Sequence, residues 1–442
     1  MWDFFNEKWY SFYMKILFKN ASILKMDDSP IYFGELVVED NRIKYIGEDS
    51  SEFAPFDRII DCEGNVLMPG FKNAHTHSAM TFLRSKCDDA SLHDWLFNEV
   101  FPREDKLTPE DMYHLAKGSI LEYIANGITA CLDQYFFPPM CGKACEELGF
   151  RVVLQGIYNP KTNPLDLMER RFDEYNSKKD SLVTYRLGSH AEYTTSDEEL
   201  EAIAKGIHDK KTKYLIHLGE TKSEVENCIK NRGAEPAIVL DQYGLWDFGG
   251  VAYHCCYLSQ REIDLFKKKN VAIVTCPGSN LKLASGIAPI RKYLDEGLLI
   301  GIGTDGPASN NCLDMFKEMM LVSNLAKVTN GDPTSIDSYT ILKMATVNGA
   351  KIMDLNDADT LEVGKLADLI MIDLSRPNMQ PINDVVNNIV YAGNPSNIKL
   401  TMINGKILYE DGKFYLSQKV EDIYAKVQEI TDRIDMEIAN DK

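Results

Sequence analysis

Eight short apolar runs, spread along the middle of the chain and mostly followed by helical stretches, restrict the fold more than any other feature. Each run is apolar almost throughout, which is typical of parallel strands buried on both faces. The runs are VLMPGFKNAHTH, GITACLDQYF, FRVVLQGIY, VTYRLGSHAEY, YLIHLGET, VAYHCCYL, VAIVTCPGS and LLIGIGTDG. Eight such units in series predict an α/β fold, a (β/α)8 TIM-like barrel rather than an open sheet.

The two ends of the chain carry a different pattern, of short alternating segments separated by Gly, Asn and Asp. It is seen in KILFKNASIL, GELVVEDNRIKYIGE and DRIIDCEG, and again in KLADLIMIDL, VVNNIVYAG and KLTMINGKILYEDGKF. Such segments favour antiparallel β-structure. We therefore expect a small β-sandwich domain built from residues 14–65 and 359–416, around a hydrolase barrel at 66–358. An amphipathic helix at 417–442 would follow, and the aromatic residues 1–13 would extend outside the fold.

Charge and cysteine usage narrow the class of function. The net charge is −19, which argues against nucleic-acid partners because these require basic surfaces. The ten cysteines form no C-x-x-C pair, and the N-terminus lacks the continuous apolar core of a signal peptide or membrane helix. We expect a cytoplasmic protein that acts on a small molecule, without nucleic-acid or membrane partners.

Four of the eight histidines stand at predicted strand ends. His75 and His77 are two residues apart on the first barrel strand, so that both imidazoles point to one side. His217, His254 and Asp305 end the fifth, sixth and eighth strands. The carboxyl ends of barrel strands form one face, where these side chains would converge. Imidazoles with one carboxylate suit a divalent ion, zinc first, with iron(II) or manganese as alternatives.

Each of these residues also has a purely structural interpretation. A lone His-x-His pair is a weak signal, and a histidine at the end of a buried strand is often a hydrogen-bonded core residue. Glu220, three residues after His217, fits a general base that becomes a general acid, but it also fits an acid at the start of a helix. The combination on four strands favours a metal site, and Glu220 beside it favours catalysis.

Longer motifs around these residues resemble a known family. PGFKNAHTHSAMTFLRS, HAEYT, HLGET, HCCYL, CPGSNLKLASGIAPI, GTDGPASNN and ATVNGA with LEVGKLADLIMID are similar to motifs of the amidohydrolase superfamily. The likeness spans residues from about 15 to 415 and is strongest to the branch of S-adenosylhomocysteine and 5′-methylthioadenosine deaminases, which includes triazine chlorohydrolases. It implies a barrel with a β-sandwich side domain and one zinc or iron ion.

The resemblance also implies roles for individual residues. His75, His77, His217 and Asp305 would hold the metal. Catalysis would rest on Glu220 and His254, which handle the attacking water and the leaving group, together with Asp305. Glu104, in FPREDKLTPED, would bind ribose hydroxyls, while His190, in HAEYT, and Glu220 would contact the substrate.

The chain departs from the family pattern at two places. HAEYT stands where HAPYT is usual, and HLGET where HVAET is usual, which we interpret as altered residues beside the substrate. No arginine aligns with the one that grips the polar tail of adenosylhomocysteine, and Arg170 and Arg171 fit a solvated helix face. The fourth strand has no lysine at its end to bridge two metals, which predicts a single ion.

The candidate ligands predict a metal-dependent hydrolase, and the resemblance implies an aminohydrolase of adenosine-type substrates that releases ammonia. The substrates implied are S-adenosylhomocysteine, 5′-methylthioadenosine, 5′-deoxyadenosine and adenosine. An alternative within the class is hydrolysis of another C–N or C–Cl bond, on a guanine, triazine or imidazolone ring. From a different class, a non-catalytic barrel scaffold would have lost ligands, yet every expected ligand is present. The family likeness also implies a homodimer or homotetramer, with the C-terminal helix as one candidate contact.

Overall fold

A computed structural model describes residues 14–86, 88–89 and 94–441 of the chain. The extension expected at residues 1–13 lies outside the described residues, as do His93 and Lys442.

The strands are β1 (Lys15–Ile23), β2 (Tyr32–Glu39), β3 (Arg42–Gly47), β4 (Arg58–Asp61), β5 (Val66–Pro69), β6 (Phe71–Thr76), β7 (Ile128–Gln134), β8 (Arg151–Ile157), β9 (Val183–Ala191), β10 (Tyr214–Leu218), β11 (Gly250–His254), β12 (Val271–Thr275), β13 (Ile300–Ile302), β14 (Leu369–Ile372), β15 (Ile398–Ile403), β16 (Lys406–Glu410) and β17 (Lys413–Phe414). The helices are α1 (Phe101–Glu104), α2 (Pro109–Ala125), α3 (Pro138–Leu148), α4 (Leu165–Asn176), α5 (Asp197–Lys210), α6 (Lys222–Arg232), α7 (Pro236–Gln242), α8 (Gln260–Lys269), α9 (Pro277–Lys282), α10 (Ile290–Asp295), α11 (Met315–Asn330), α12 (Ser338–Met344), α13 (Val347–Ile352), α14 (Val385–Asn387) and α15 (Val420–Asn440). Single turns of 3-10 or π-helix occupy Ser51–Phe53, Ser78–Leu83, Trp95–Val100, Glu192–Thr194, Pro377–Met379, Asn388–Ala392 and Pro395–Asn397.

Strands β6 to β13 form the predicted barrel. They are hydrogen-bonded in chain order and all run parallel, and β13 returns beside β6, where the Asp305 amide donates to the His75 carbonyl at 3.0 Å. Seven of the eight predicted runs each give one strand. The run VLMPGFKNAHTH divides at Gly70, so that β5 joins the side sheet and only β6 belongs to the barrel.

The side domain is one mixed sheet made from both ends of the chain, in the order β17-β16-β15-β14-β5-β1-β2-β3, with β4 on β1. The predicted fold class is confirmed. The expectation of purely antiparallel pairing is wrong, because β1 runs parallel to both β4 and β5. The segment VVNNIVYAG is not a strand: it forms α14 and a π-turn, in which Ile389 and Val390 are buried in the main hydrophobic core.

A buried ion pair joins the two parts near the amino ends of the barrel strands. Arg151 at the start of β8 places Nε 2.6 Å from Oδ2 of Asp368, which lies just before β14. Burying two charges is favourable only when they are well paired and hydrogen-bonded, and Asp368 also accepts from the Asn404 amide at 2.7 Å. The ion pair lies at the amino ends of the barrel strands, whereas the predicted site is at their carboxyl ends. We therefore assign it to holding the side sheet against the barrel.

Many helices that follow barrel strands begin at reciprocal caps, which explains where they start. The hydroxyls of Thr221 and Ser259 accept from the amides of Glu224 and Glu262, whose carboxylates accept from the cap amides in return. The segment after β10 forms two helices, α6 and α7, and α6 ends at Gly233, which has φ +77°.

Helix α15 lies on the outside of the barrel against α2. Ile430 and Ile434 are buried in a cluster with Trp95 and Val100, and the guanidinium of Arg433 bonds Asp111 at 2.6 Å. This places the C-terminal helix against the segment between β6 and α2. Within the described ranges, no helix combines the length and the apolar content that crossing a bilayer requires.

Candidate metal centre and active site

Five side chains meet at the carboxyl edge of the barrel. His75 lies in β6 and His77 directly follows it, His217 lies in β10, His254 ends β11, and Asp305 follows β13. Oδ1 of Asp305 is 3.1 Å from Nε2 of His77 and 3.6 Å from Nε2 of His75. Nε2 of His77 and Nε2 of His217 are 3.4 Å apart. Two overlapping groups, His75 with His217 and His254, and His75 with His77 and Asp305, have ligand atoms within 4.8 Å of one another.

The outer ring nitrogens of two of these histidines are fixed by backbone carbonyls. Nδ1 of His77 donates to the carbonyl of Gln134 at 2.6 Å, and Nδ1 of His217 donates to the carbonyl of His190 at 2.7 Å. A carbonyl can only accept, so Nδ1 carries a proton in both rings and Nε2 is the nitrogen that faces the centre. A metal-ligating histidine needs this ring orientation, with Nδ1 held by an acceptor and Nε2 directed at the ion.

His75 is completely buried, yet neither of its ring nitrogens has a hydrogen-bond partner. Its ring stacks on Tyr253 with centroids 3.8 Å apart, which fixes its plane. Burial lowers the pKa of His75 to about 3, so the imidazole is neutral and able to ligate. A buried polar group without a partner costs about 1–3 kcal/mol. A divalent cation fits this donor set and would supply the missing partner of Nε2.

Asp305 is held so that only one of its oxygens faces the histidines. Oδ2 accepts from the hydroxyls of Ser279 and Ser309 at 2.6 and 2.8 Å, while Oδ1 also accepts from the Gly306 amide at 2.8 Å. Burial acts to raise the pKa of Asp305, but contact with the two imidazoles at the end of β6 lowers it well below its usual range. The carboxylate is therefore ionised, and Oδ1 is the oxygen available to a cation.

Backbone strain is concentrated at two of the five residues. His254 has φ +68° and Asp305 has φ +59°, both in the left-handed region that residues with a side chain seldom adopt. Such conformations cost about 1–3 kcal/mol each and persist where the surroundings hold them. Here they turn both side chains inward at the ends of β11 and β13.

Glu220 faces His254 across the centre. Oε2 of Glu220 is 3.9 Å from Nε2 of His254, and its Oε1 accepts from the Ser285 hydroxyl at 2.9 Å. Nδ1 of His254 donates to Oδ1 of Asn280 at 2.8 Å, which leaves Nε2 free to face Glu220. The Glu220 amide donates to Glu224 at 2.9 Å, so the cap of α6 fixes the turn. Glu220 is thus buried beside the cluster without belonging to its shortest contacts.

Glu104 and His190 lie around the centre. The Tyr135 hydroxyl donates to the Glu104 carboxylate, and the Tyr135 ring is 6.2 Å from the His77 ring. Burial raises the pKa of Glu104 to about 7, despite the opposing effect of that hydrogen bond. His190 has Nδ1 3.0 Å from the Thr194 hydroxyl, and burial lowers its pKa to about 4, so its ring is neutral. The structure brings both residues to the centre.

The two altered motif positions have structural explanations. The Glu192 side chain is buried and forms an ion pair with Arg232 at the end of α6, so its carboxylate is already engaged. Gly219 has φ +60° and its amide donates to Glu224 at 2.8 Å. Glu192 therefore anchors the turn after β9 through its ion pair with Arg232, and the interpretation that it lies beside the substrate stays a prediction.

The other described histidines lie away from the centre. His114 on α2 contacts an acid of its own helix, and His208 on α5 contacts an aspartate of a neighbouring loop. Arg170 is exposed on α4 and bonds an acid one turn away. Arg171 differs from the expected solvated face, because it is half-buried and donates to Asn163 at 2.6 Å.

Gly303→Ala is expected to weaken metal binding by about 10–100-fold, the range seen when residues that orient ligands are changed. A Cβ at Gly303 would lie 2.8 Å from the His75 carbonyl and 2.9 Å from its Cβ, so β6 must shift. Titration with a chelator measures the affinity. The control is Gly301→Ala, where the clash at 2.7 Å is with the flexible end of Ile352. Equal metal affinity in both variants would contradict the prediction.

Most of the chain is similar to known proteins of one family. A family model described as "Amidohydrolase family" matches residues 66–408. A relative from Moorella thermoacetica, named 5-methylthioadenosine/S-adenosylhomocysteine deaminase, is 39% identical over 420 residues, covering 93% of this chain and 98% of the relative. A relative of the same name from Pyrococcus furiosus is 37% identical over 422 residues, covering 94% of this chain and 100% of the relative.

Solved structures agree at the level of the fold. An adenosine deaminase from Xanthomonas campestris with bound zinc has a TM-score of 0.89 and 29% identity, covering 95% of this chain and 98% of that one. An atrazine chlorohydrolase from Arthrobacter aurescens complexed with zinc has a TM-score of 0.85 and 23% identity, covering 94% of this chain and 100% of that one. The barrel with its two-ended side sheet is therefore shared beyond close relatives.

Proposed function

This chain belongs to the amidohydrolase family, and on that premise we propose that it is a metal-dependent aminohydrolase of adenosine-type nucleosides. The reaction replaces the amino group of the purine ring by a carbonyl and releases ammonia. The substrates proposed are 5′-methylthioadenosine, S-adenosylhomocysteine, 5′-deoxyadenosine and adenosine. The observation that carries the proposal is the neutral, unpartnered His75 among imidazoles and an ionised carboxylate, with Glu220 beside them.

We propose that His75, His77, His217 and Asp305 hold one divalent ion. Zinc is the metal proposed, because solved relatives contain it, and iron(II) is the alternative. When bound, such an ion lowers the pKa of water towards about 7 and so supplies hydroxide at neutral pH. The strand β9 ends in Ser-His-Ala, with no lysine to bridge a second ion, which supports a single ion.

The remaining steps belong to side chains. Glu220 takes a proton from the attacking water and delivers it to the ring nitrogen, while the water oxygen bonds to the amino-bearing carbon. His254 and Oδ1 of Asp305 orient that oxygen. The C–N bond then breaks, the proton of the newly added hydroxyl passes to the amino group, which leaves as ammonia, and the carbonyl remains. Ser285 and Asn280 hold Glu220 and His254 in place for these transfers.

We propose that Glu104 binds the ribose hydroxyls and that His190 contacts the substrate. Glu104 ends α1 and His190 lies in β9, where its ring is 4.9 Å from the His217 ring. Glu104 is already hydrogen-bonded to Tyr135, which stands between it and His77. A carboxylate at this place predicts a preference for nucleosides over free bases, since only nucleosides carry vicinal hydroxyls.

The preference for nucleosides is expected to depend on pH. Because burial raises the pKa of Glu104 to about 7, its carboxylate becomes ionised as the pH rises through that value. A carboxylate accepts hydroxyl protons better than a carboxyl group, so kcat/KM for adenosine should rise about tenfold between pH 6 and 8. Glu104→Gln should remove the part of this rise that adenine does not share, since titration of the attacking water near pH 7 affects both substrates. Parallel profiles with the free base adenine serve as control, and an unchanged profile in the variant would contradict the role.

The second candidate function is hydrolysis of another C–N or C–Cl bond, on a guanine, triazine or imidazolone ring. Structures named guanine deaminase and atrazine chlorohydrolase share the fold at 22% and 23% sequence identity. At this level of identity the similarity supports a common fold and not a common substrate. The pair of Glu104 and Tyr135 favours the nucleoside reaction. A non-catalytic scaffold is disfavoured, because every ligand type needed is present and oriented.

The test is metal analysis of the purified protein followed by ammonia release on a substrate panel. We expect about one equivalent of zinc or iron per chain, since the centre offers one set of ligands. Ammonia should be released from 5′-methylthioadenosine and adenosine faster than from guanine or a triazine. Metal-loaded protein that releases ammonia from none of the adenosines would refute the proposed function.

We also propose a cytoplasmic homo-oligomer, a homodimer or homotetramer. Nine cysteines are described and all are free thiols, eight of them buried, as suits a reducing compartment. Helix α15 exposes Tyr424 and Met436 on its outer side, which makes it a candidate contact. The acidic charge of −19 supports a small molecule as ligand rather than nucleic acid.

A further inference from the structure

One buried acid outside the catalytic set connects two loops of the centre. Glu318 lies on α11 and is fully buried. Its Oε2 accepts from the Gly278 amide at 2.8 Å, and its Oε1 accepts from Nδ2 of Asn310 at 2.9 Å. Gly278 follows β12 and Asn310 follows β13. A single carboxylate therefore links the loops that leave two neighbouring strands of the barrel.

The first of these loops carries groups that orient the catalytic residues. Gly278 is followed directly by Ser279, whose hydroxyl donates to Asp305, and by Asn280, whose Oδ1 accepts from His254. Any displacement of the Gly278 amide moves both orienting side chains, because they lie one and two residues further along the same short helix, α9.

The second loop carries Asp305 itself. Nδ2 of Asn310 also donates to the carbonyl of Thr304 at 2.7 Å, the residue immediately before Asp305. Oδ1 of Asn310 accepts from Nζ of Lys317 at 2.6 Å, which fixes the amide with its nitrogen towards Glu318. The loop after β13 is thus tied to α11 at the same carboxylate as the loop after β12.

The Glu318 carboxylate is packed closely against Gly278 and Asn310. A Cβ added at Gly278 would lie 2.3 Å from Oε1 of Glu318 and 2.7 Å from Oδ1 of Asn310. The cation next along the helix, Lys317, bonds Asn310 and not the carboxylate. Close-packed interiors transmit small shifts instead of absorbing them. A change at Glu318 should therefore reach His254 and Asp305 together.

We propose that Glu318 is a positioning residue that sets the placement of His254 relative to Asp305 by anchoring the loops after β12 and β13. The proposal rests on the roles that the proposed function gives to His254 and Asp305. Glu318 does not touch the reacting atoms, so its effect must appear in how well the centre holds metal and how fast the bound substrate reacts, more than in substrate affinity.

The test is Glu318→Gln, which keeps the shape of the side chain. Glutamine has an NH2 group in place of one of the two accepting oxygens. Either the Gly278 amide or Nδ2 of Asn310 then faces another donor instead of an acceptor. We expect the dissociation constant for zinc, measured by competition with a chelator, to rise about 10–100-fold. We expect kcat to fall within the same range, with KM for 5′-methylthioadenosine close to wild type.

The matched control is Glu262→Gln. Glu262 is also fully buried, and its carboxylate accepts from the amides of Ala237 and Ser259 at 3.1 and 2.9 Å, but it anchors α7 to the start of α8. This variant should lower the melting temperature without changing zinc affinity or kcat. Gly278→Ala, which separates the same contact from the other side, should reproduce the effect of Glu318→Gln and replaces that variant if it does not fold.

Two outcomes overturn the inference. One is wild-type zinc affinity and kcat in a folded Glu318→Gln protein, and the other is an equal loss in Glu262→Gln. Failure of the proposed function looks different: the wild-type protein would then release no ammonia from adenosines, while the comparison of zinc affinities would still report on Glu318.

Discussion

Glu220→Gln is expected to lower kcat by about 10²–10⁴, the range that a positioned proton carrier contributes, while the metal content stays at the wild-type level. The amide has the shape of the carboxylate and can still accept from the Ser285 hydroxyl. It cannot take the proton of the attacking water. Steady-state ammonia release gives kcat, and metal analysis of the same sample gives occupancy.

The control for this variant is Glu226→Gln, on the exposed side of α6, six residues further along the chain. Glu226 forms a surface ion pair with Lys222 at 3.3 Å, and such pairs contribute about 0–1 kcal/mol. Its kcat should equal that of the wild type. Near-full activity of Glu220→Gln, or its loss together with the metal, would show that Glu220 is not the proton carrier.

Asp305→Asn is expected to abolish stable metal binding and to lower kcat/KM about 10³-fold or more, which is a rise of several kcal/mol in activation free energy. The hydroxyls of Ser279 and Ser309 both donate to Oδ2, so the amide oxygen takes that place. The NH2 group then faces the imidazole nitrogens and a cation, where it cannot ligate. Metal analysis after dialysis and thermal unfolding with added zinc measure the loss.

Wild-type protein should gain about 2.7 kcal/mol of stability at a zinc concentration one hundred times the dissociation constant, and Asp305→Asn should gain none. The control is Asp111→Asn, an acid buried to a similar degree, 7% exposed against 5% for Asp305. Asp111 pairs with Arg433 on α15, so its loss should lower stability without affecting zinc binding. Retention of one zinc by Asp305→Asn would remove Asp305 from the ligand set.

The barrel could be predicted because buried parallel strands leave a strong local signal. Runs such as VAYHCCYL are apolar throughout and short, and few alternatives fit eight of them in series. The same signal could not divide VLMPGFKNAHTH, because β5 and β6 are both fully buried although they belong to different sheets. The break at Gly70 depends on a tertiary contact, since its amide donates to the Asp368 carbonyl.

VVNNIVYAG shows how tertiary context overrides propensity. Its β-branched residues favour a strand, yet Asp384 caps a helical turn by accepting from the Asn387 amide at 2.8 Å. Ile389 and Val390 are then buried in the main hydrophobic core on consecutive helical positions. The gain from burial exceeds the small preference of these residues for strands.

The position of the candidate ligands followed from topology, because parallel strands bring their carboxyl ends together. Their orienting partners did not follow. The motif CPGSNLKLASGIAPI contains Ser279 and Asn280, and GTDGPASNN contains Ser309. Serine and asparagine are also common in turns, so these positions alone did not indicate an orienting role. The ion pair of Glu192 could not be predicted for the same reason: its partner, Arg232, lies forty residues further along the chain, and α6 must first be placed beside the turn after β9.

The side sheet has a consequence for synthesis of the chain on the ribosome. β14 lies between β5 and β15, so β5 has no neighbour on that side until Leu369 pairs with Pro69. At about 5–20 residues per second, the wait is on the order of tens of seconds. During that interval the early strands β1 to β5 present an open edge, while the barrel strands emerge and can associate. Completion of the side sheet is therefore a late event, and mutations in β14 should harm yield more than mutations of equal burial within the barrel.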